Sequence, residues 1–397
     1  MSESPVRRRW AGAGAGLAAA ALAFAGTPAS AAPDQTLAPL TMHPEDQVIS
    51  ADGTADSYIV NLEDGQDAAA VAGELGVRAE HLYTHSLNGF SATLSPQQLQ
   101  RVRESNDVEG VSQNFHAQVQ SPAPAAAGSW GLDRIDQPNL PLDDTYAPNG
   151  TGAGVTAYVI DTGISPDHPD FQGRASVGHD ATGGDGTDGN GHGTHVAGTI
   201  GSATYGVAKQ AELVGVKVLD DNGSGTTADI VAGMDWVAQN ADGPSVANMS
   251  LGGAKDPALD EAATGLVDSG VFLAVAAGNE SQDAENTSPA SAEGVYTTAA
   301  SDRDDSSAEF TNFGATVEGY APGVDILSLA PGGGTATLSG TSMASPHVAG
   351  VGALFLEADP DAAPADVISG LQGTAAAGVI NGAPEGTTPD LLQTGEL

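Results

Sequence analysis

The stretch GVTAYVIDTG, residues 154–163, is an apolar run that ends in an aspartate, a threonine and a glycine. A short apolar run bounded by glycines is typical of a strand that is buried on both faces. After it, strand-like segments alternate with segments of helical periodicity. This alternation predicts an α/β fold, a mainly parallel sheet with helices on both faces. The strand-like segments are 154–163, 211–220, 246–253 and 271–279, and the helical ones are 192–202, 226–240 and 258–270.

Two polar residues stand at the ends of predicted strands. Asp161 closes the run 154–163, and Asn279 closes the run 271–279. Active sites of parallel sheets collect at the carboxyl ends of the strands, so both side chains are candidates for a site. Taken alone, Asp161 is explained equally well as the cap of the following turn.

A histidine and a serine each stand at the predicted start of a helix. His192 lies among glycines in GNGHGTHVAG, and these glycines permit close approach of the backbone. Ser342 opens a helix that we predict over 342–357, with Pro346 in the first turn, where a missing N–H costs little. His195 leaves a two-histidine metal site open as an alternative, although a packed helix residue also accounts for it.

Together these residues fit acyl transfer. Ser342 supplies a hydroxyl nucleophile, His192 a base, Asp161 a carboxylate that orients the base, and Asn279 an amide donor for the oxyanion. Two other classes remain open. A metal-dependent hydrolase would lose activity at once in chelator and would not react with serine-directed phosphonates. A non-catalytic binding protein is disfavoured because all four positions are filled.

The charge of the chain restricts its partners. Its 397 residues include 12 basic and 51 acidic side chains, a formal net charge of −39. Nothing offsets repulsion from phosphates, which excludes a general nucleic-acid binder. The acidity favours adaptation to high salt over solubility alone, so we expect the thermal midpoint and the activity to rise in molar salt. The sequence contains no cysteine, which excludes disulfides, zinc–thiolate sites and a cysteine nucleophile.

The segments before the main domain predict export and processing. Residues 1–31 combine a basic start, an apolar Gly/Ala-rich stretch and the small-residue site ASA, which is typical of a signal peptide, and the three arginines leave both the general secretory and the twin-arginine route open. Residues 57–120 predict a small α/β module, 121–129 a protease-accessible linker, and 130–397 the main domain. We therefore expect a secreted, extracellular protein that has no membrane association once the signal is removed.

Four segments in order, VIDTGI, GHGTHVAG, AAGN and GTSMASPHVAG, resemble the signature blocks of the subtilase serine peptidases. Three more, YGVAK, GVKVLDDNGSG and NMSLGG, resemble the proteinase K-like branch. The resemblance begins at about Trp130, covers the whole main domain and implies a subtilisin-like fold. It implies that Asp161, His192 and Ser342 form the catalytic triad, with the Asn279 amide and the Ser342 backbone N–H as oxyanion hole. The expected activity is that of a serine endopeptidase that forms an acyl-enzyme.

The resemblance also implies how the substrate and the propeptide bind. Two extended edges would hold a peptide between them as an added strand, and recognition of its main chain implies broad specificity. Thr227 stands where aromatic residues often form the wall of the fourth pocket, which leaves the preference there open. The module 57–120 is similar to inhibitory propeptides that assist folding and are then cut away by the enzyme itself. The implied partners are protein or peptide substrates and the chain's own propeptide, in a monomer. The two edges are Gly223, Ser224 and Gly225, and Ser250, Leu251 and Gly252.

Calcium is the cofactor that the resemblance implies, in a structural role. Hard oxygen donors at close spacing within residues 130–144 resemble a site of some relatives. A second site would use the carbonyls of Glu293 and Val295 with the carboxylate of Glu318. The family more often has aspartate and proline at the outer positions, a departure that leaves the affinity open. The donors of the first site would be Asp133, Asp136, Gln137 and Asp143.

Overall fold

The computed structural model describes residues 37–43, 57–119 and 130–397. The predicted signal peptide, residues 1–31, and the predicted linker, residues 121–129, lie outside the described residues. Among the helices of the described part, none has the length and apolar character needed to cross a bilayer.

Five strands and two helices form the N-terminal module. They are β1 (Leu40–Thr41), β2 (Ser57–Leu62), α1 (Ala68–Glu74), β3 (His81–Tyr83), β4 (Gly89–Thr93), α2 (Pro96–Glu104) and β5 (Val108–Gln113). The strand order is β1-β5-β2-β4-β3, with β1 parallel to β5 and the other pairs antiparallel. A capping box starts α2, because the side chains of Ser95 and Gln98 each accept the other residue's backbone N–H. The module has a core of its own, which includes Val60, Phe90 and Val102.

Seven strands form the central sheet of the main domain. They are β7 (Thr156–Asp161), β8 (Ala175–Asp180), β9 (Glu212–Lys217), β11 (Ser245–Met249), β13 (Phe272–Ala276), β15 (Tyr296–Ser301) and β16 (Gly319–Pro322). Their order is β16-β15-β13-β11-β7-β9-β8, and every pair is parallel. The fold therefore confirms the predicted parallel α/β architecture.

Helices cover both faces of this sheet. The helices of the domain are α3 (Trp130–Ile135), α4 (His192–Gly201), α5 (Thr227–Asn240), α6 (Pro257–Asp268), α7 (Thr341–Ala358) and α8 (Pro364–Thr374). Side chains of β7 alternate between two cores. Ala157 and Val159 pack with residues of α4 and α7, while Tyr158 and Ile160 pack with residues of α5 and α6. This alternation explains why the stretch 154–163 is apolar at consecutive positions.

Short strands complete the domain and hold the end of the N-terminal module. They are β6 (His116–Val119), β10 (Ser224–Thr226), β12 (Leu251–Ala254), β14 (Thr287–Ser288), β17 (Ile326–Ala330) and β18 (Gly334–Leu338). β6 leaves the module and lies antiparallel between β10 and β12, in a sheet of order β10-β6-β12-β14. The chain of the module thus fills the gap between two edges of the main domain.

The module also docks on the helices α5 and α6. The carboxylate of Asp235 accepts the backbone N–H groups of Thr84, His85 and Ser86 at 3.0, 2.6 and 2.9 Å. In the other direction, the side chain of Asn114 accepts the Ala228 N–H at the start of α5 at 3.0 Å. The module and the main domain therefore each accept hydrogen bonds from backbone N–H groups of the other that would lack a partner without this contact.

Candidate active site

Asp161 and His192 form a buried hydrogen-bonded pair at the carboxyl end of the sheet. Asp161 is the last residue of β7, and His192 is the first residue of α4. The Nδ1 atom of His192 lies 2.8 Å from Oδ1 and 3.0 Å from Oδ2 of Asp161. A carboxylate can only accept, so Nδ1 carries the proton and Nε2 of the neutral ring is left as an acceptor. Nε2 is buried and has no hydrogen-bond partner among the described residues.

A second buried carboxylate, Asp188, holds the loop that precedes His192. Its Oδ1 accepts the Thr162 hydroxyl at 2.9 Å and the Gly191 N–H at 2.7 Å. Its Oδ2 accepts the N–H and the hydroxyl of Thr194 at 2.8 and 2.6 Å. Gly193 is required here, because a Cβ at this position would overlap the carbonyl oxygen of Gly163. Asp188 therefore positions the histidine, a role that sequence reasoning missed.

Ser342 lies in the first turn of α7, which begins at Thr341 and ends at Ala358. Its hydroxyl donates to the carbonyl of Ser250 at 3.0 Å. The prediction that Pro346 falls in the first turn is wrong, because Pro346 is the sixth residue of the helix. Pro346 has no N–H to donate to the Ser342 carbonyl four residues earlier, and the Ser250 hydroxyl donates to that carbonyl instead, at 2.8 Å. Two reciprocal bonds thus join Ser342 to Ser250.

A buried polar chain continues from this pair. The Asn248 amide donates to the Ser250 hydroxyl at 2.9 Å, and the Ser345 hydroxyl donates to Asn248 Oδ1 at 2.7 Å. All three side chains are inaccessible to solvent. A fully satisfied buried network fixes the geometry of its members, so Asn248 and Ser345 orient the start of α7.

Asn279 is held by the residue that precedes Ser342. Its Oδ1 accepts both the N–H and the hydroxyl of Thr341, at 2.9 and 3.0 Å. The Gly278 N–H in turn donates to the Thr341 hydroxyl at 3.1 Å. Because Oδ1 already accepts two hydrogen bonds, Nδ2 is the atom of the Asn279 amide that remains as a donor. A Cβ on Gly340 would lie 3.2 Å from Nδ2, so a side chain at that position would crowd the amide. Thr341 was not among the predicted site residues, yet it sets the orientation of the amide.

The two predicted substrate edges flank β6. Residue pairs across the first edge are Ser224 with Gln118 and Gly225 with Ala117, and across the second Leu251 with Val119 and Gly252 with Gln118. The Val119 N–H donates to the Gly223 carbonyl at 2.9 Å. A cavity of about 520 Å³ opens beside β12, and Gly252 and Ala276 are among the residues that line it. Five of the six predicted residues therefore border the slot that β6 occupies, and the sixth, Ser250, directly precedes Leu251 in the chain.

His195 and His347 are packed inside the domain. Nε2 of His195 lies 3.1 Å from the Ile326 carbonyl and 3.2 Å from the Ala336 carbonyl, so it carries the ring proton. Burial lowers the pKa of His195 to about 3 and that of His347 to about 4. Within the described ranges, no group of three or more His, Cys, Asp or Glu side chains is placed to hold a metal ion. His195 thus faces carbonyl oxygens rather than a ligand set shared with His192.

These buried histidines predict a loss of stability in acid. The folded-state pKa of His347 is below the unfolded value of 6.5, so the unfolded chain takes up the proton first as the pH falls. From pH 7 to pH 5 this costs about 2 kcal/mol of unfolding free energy per histidine. We expect His347→Gln to reduce that loss by about the same amount. Urea unfolding at both pH values checks this, with Ser342→Ala in both chains to prevent autolysis. Equal losses in the two chains would contradict it.

The predicted calcium donors lie in two places. Asp133 accepts the backbone N–H groups of Asp143 and Asp144 at 3.2 and 2.8 Å. Burial raises the pKa of Asp136. A backbone hydrogen bond acts against this rise, and the charges of Asp133 and Asp143 add to it. The Gln137 amide nitrogen donates to backbone carbonyls within the same loop, so its Oε1 is the atom that could face a cation. The charges of Asp133 and Asp143 thus act on Asp136, although within the described residues these side chains do not form a group placed to hold a metal ion.

The second set centres on Glu318. Burial raises the pKa of this carboxyl to about 7, and its Oε2 accepts the Thr297 N–H at 2.7 Å. It forms no ion pair with any described residue. The Glu293 carbonyl accepts the Thr264 hydroxyl at 3.1 Å, which leaves a lone pair available. A half-buried carboxylate without a cationic partner among the described residues is a single donor that calcium would suit.

Comparison with known proteins assigns both parts of the chain. The model of the Subtilase family matches residues 152–391, and the model of Peptidase inhibitor I9 matches residues 57–120. The chain is 40% identical over 351 residues to the cuticle-degrading protease of Metarhizium anisopliae, covering 86% of this chain and 90% of that protein. It is 44% identical over 357 residues to alkaline serine exoprotease A of Vibrio alginolyticus, covering 85% of this chain and 66% of that one.

Two solved structures resemble the fold. A cold-adapted subtilisin-like serine proteinase is 51% identical, with a TM-score of 0.66, and the match covers 67% of this chain and 97% of that one. Fervidolysin from Fervidobacterium pennivorans, 23% identical, shares the fold with a TM-score of 0.74 over 91% of this chain and 62% of its own. This chain is a member of the subtilase family of serine proteases, related to its proteinase K-like branch and preceded by an I9 inhibitor domain.

Proposed function

We propose that this serine protease is a secreted, self-processed endopeptidase that cuts proteins with broad specificity through Asp161, His192, Ser342 and Asn279. The observation that carries the proposal is the orientation of His192. Its Nδ1 is fixed by Asp161, while its buried Nε2 has no partner among the described residues and is free to take a proton. An imidazole held in this tautomer is what a general base requires.

The proposed mechanism gives each of these groups one role. Ser342 rotates its hydroxyl from the Ser250 carbonyl towards His192, gives up the proton to Nε2 and attacks the peptide carbonyl carbon. The Asn279 Nδ2 group and the Ser342 N–H stabilise the oxyanion, a contribution of roughly 3 kcal/mol for the amide alone. His192 then protonates the leaving amine, and water hydrolyses the acyl-enzyme by the reverse sequence. Asp161 keeps its hydrogen bond to Nδ1 and stabilises the imidazolium.

The position of β6 supports broad specificity. β10 and β12 hold β6 as a middle strand, and the contact is one of backbone groups. Backbone recognition is indifferent to most side chains, so any extended segment is a candidate substrate. We also propose the division into a signal, residues 1–31, a propeptide, 57–120, a linker, 121–129, and a peptidase, 130–397.

The register of β6 predicts the bond that the enzyme cuts in its own chain. Val119 donates its N–H to Gly223, beside β10. Along a strand, successive N–H groups point to opposite sides, so the residues next to Val119 point theirs to β12. One step beyond the pair Leu251–Val119, the register reaches Ser250, whose carbonyl anchors the Ser342 hydroxyl. The residue after Val119 in the sequence is Gln120. We therefore expect cleavage between Gln120 and Ser121, near the linker that we predict.

The test follows the size of the full-length chain over time. The wild-type chain is expected to be trimmed, with Ser121 as the new N-terminus by mass spectrometry, and Ser342→Ala to stay intact. Identical trimming of both purified chains would refute self-processing through Ser342. Trimming at a distant bond would refute the register argument alone. Recovery of the product from the culture medium tests secretion, and the thermal midpoint in molar salt tests the proposed salt adaptation.

Calcium is expected to act through stability. We propose that it binds at the carboxylates near Asp136 and at Glu318, and that it takes no part in the chemical step. At a hundred times the dissociation constant, one such ion stabilises the fold by about 2.7 kcal/mol. We expect calcium to raise the thermal midpoint of the Ser342→Ala chain, by an increment that Glu318→Gln reduces and the exposed Glu385→Gln leaves unchanged. An unchanged midpoint in chelator would contradict a structural calcium, and an instant loss of activity in chelator would favour the metal-hydrolase alternative.

A further inference from the structure

Residues 37–43, which we call the strap, precede the segment that the inhibitor family model matches, residues 57–120. The strap is tied to the module by main-chain contacts. β1 within it lies parallel to β5, and Ala38 is buried in the core of the module. The supporting hydrogen bonds are Ala38 N–H to Arg103 O at 2.8 Å, Arg103 Nε–H to Ala38 O at 2.9 Å, and Val111 N–H to Pro39 O at 3.0 Å.

The end of the strap reaches the peptidase. His43 Nε2 lies 3.0 Å from Oδ2 of Asp256, and the two side chains are only 3% and 0% exposed. The His43 ring also packs on Phe115, with 4.0 Å between the ring centroids, and the His43 backbone N–H donates to the Gln113 side chain at 3.3 Å. The Phe115 ring in turn covers Gly253, where a Cβ would collide with it. One buried layer thus joins the strap, the end of the module and the edge of β12.

Asp256 contacts both the peptidase helix α6 and the strap. Its Oδ1 accepts the Leu259 N–H at 2.9 Å and caps α6, while its Oδ2 faces His43. A buried carboxylate is costly unless each oxygen has a partner. His43 supplies the partner of Oδ2, so departure of the strap exposes this oxygen to water or leaves it unpaired. The pair is therefore a contact of the inhibited complex and not of the module alone.

We propose that the strap is a second docking element of the inhibitor, which binds the peptidase through His43 on Asp256 in addition to β6 in the substrate slot. The proposal rests on the proposed function in that the module inhibits the peptidase and must leave it. It assigns an inhibitory role to residues upstream of the matched inhibitor domain. The peptidase then holds its inhibitor at a place that no peptide substrate need touch.

The experiment uses the full-length, self-processing chain and measures the lag between trimming and the appearance of peptidase activity. His43→Ala is expected to shorten this lag about tenfold or more, the effect of losing a hydrogen bond to a charged group. Asp256→Asn shortens it less, in the same direction, and keeps an oxygen for the helix cap. Met42→Ala, at an exposed strap position, leaves it unchanged. The double variant His43→Ala/Asp256→Asn matches His43→Ala, because the two residues form one contact.

The outcomes separate the strap from the function. If His43→Ala and Asp256→Asn are trimmed normally and show an unchanged lag, the proposed role of the strap is refuted, while the proposed function stands. If the wild-type chain is not trimmed, the proposed function fails, and the strap is tested in the uncut Ser342→Ala chain by hydrogen exchange. There, Asp256→Asn speeds exchange of the His43 amide severalfold if the strap is docked. Exchange at the unaltered rate overturns it. Equal specific activity of the fully released enzymes confines the effect to the inhibitor.

Discussion

Asp161→Asn is expected to lower kcat by about 10⁴-fold, the general magnitude for serine peptidases whose histidine loses its carboxylate. In this chain the expected loss of activity comes from a change in the tautomer of His192. Asp161 Oδ1 accepts the Thr162 N–H at 2.7 Å as well as His192 Nδ1–H. An asparagine that keeps its oxygen on the Thr162 N–H puts an amide N–H donor at the position of Oδ2, 3.0 Å from Nδ1, and this donor favours the tautomer in which Nδ1 accepts. The ring proton moves to Nε2, and the base is blocked.

The matched control is Asp167→Asn, which removes the same charge from an exposed position. It should retain full activity, and steady-state kinetics on a peptide substrate compare the two enzymes. The loss should fall on kcat with little change in KM, because Asp161 does not contact the substrate. A loss below tenfold would mean that His192 does not depend on Asp161 for its tautomer, and the proposed mechanism would fail.

Arg134→Met is expected to destabilise the main domain by about 3–5 kcal/mol, a large fraction of the 5–15 kcal/mol typical of folded domains. Arg134 is completely buried and pairs in a fork with Asp305, Nε to Oδ1 at 2.6 Å and Nη2 to Oδ2 at 3.1 Å. Its Nη1 donates to the Gln137 carbonyl at 2.6 Å. Methionine fills much of the volume, but it leaves a buried carboxylate without its cation.

Thermal unfolding of the Ser342→Ala chain measures this effect. For a domain of this size the loss corresponds to a midpoint lower by about 10 °C. Arg303→Met removes a positive charge next to the same loop from an exposed position and should shift the midpoint little. The double variant Arg134→Met/Asp305→Asn also removes the unpaired negative charge, so it should recover part of the stability. A shift of less than 2 °C in Arg134→Met would show that Asp305 finds another partner.

The periodicity of the sequence was sufficient to predict the sheet and to mark two candidate site residues. A strand buried on both faces needs consecutive apolar residues, and its end is visible where the run stops at Asp161. A helix start is visible where glycines surround His192. Both signals are local, so they can be read without knowing which strands are neighbours. The parallel α/β architecture follows from the same alternation, and the structure confirms it.

The residues that sequence analysis missed act across long separations in the chain. Thr341 orients Asn279 over 62 positions, and Ser250 replaces the helix bond that Pro346 removes, 92 positions from Ser342. Ser345 begins the polar chain through Asn248, which lies 97 positions away. No local pattern marks such contacts, because each depends on which loops the folded sheet brings together. Asp188 has a local signal, an aspartate four residues before the glycine-flanked helix start at His192, but that pattern also fits an ordinary turn.

The placement of β6 between β10 and β12 makes inhibition depend on concentration. Before the backbone is cut, inhibitor and cleft are parts of one molecule, and the effective concentration of β6 at the slot is unaffected by dilution. Once the chain is cut, the same strands meet as two molecules, and the occupied fraction falls as the solution is diluted. Under the proposed self-processing, the enzyme therefore stays inhibited in concentrated solution and becomes active on dilution.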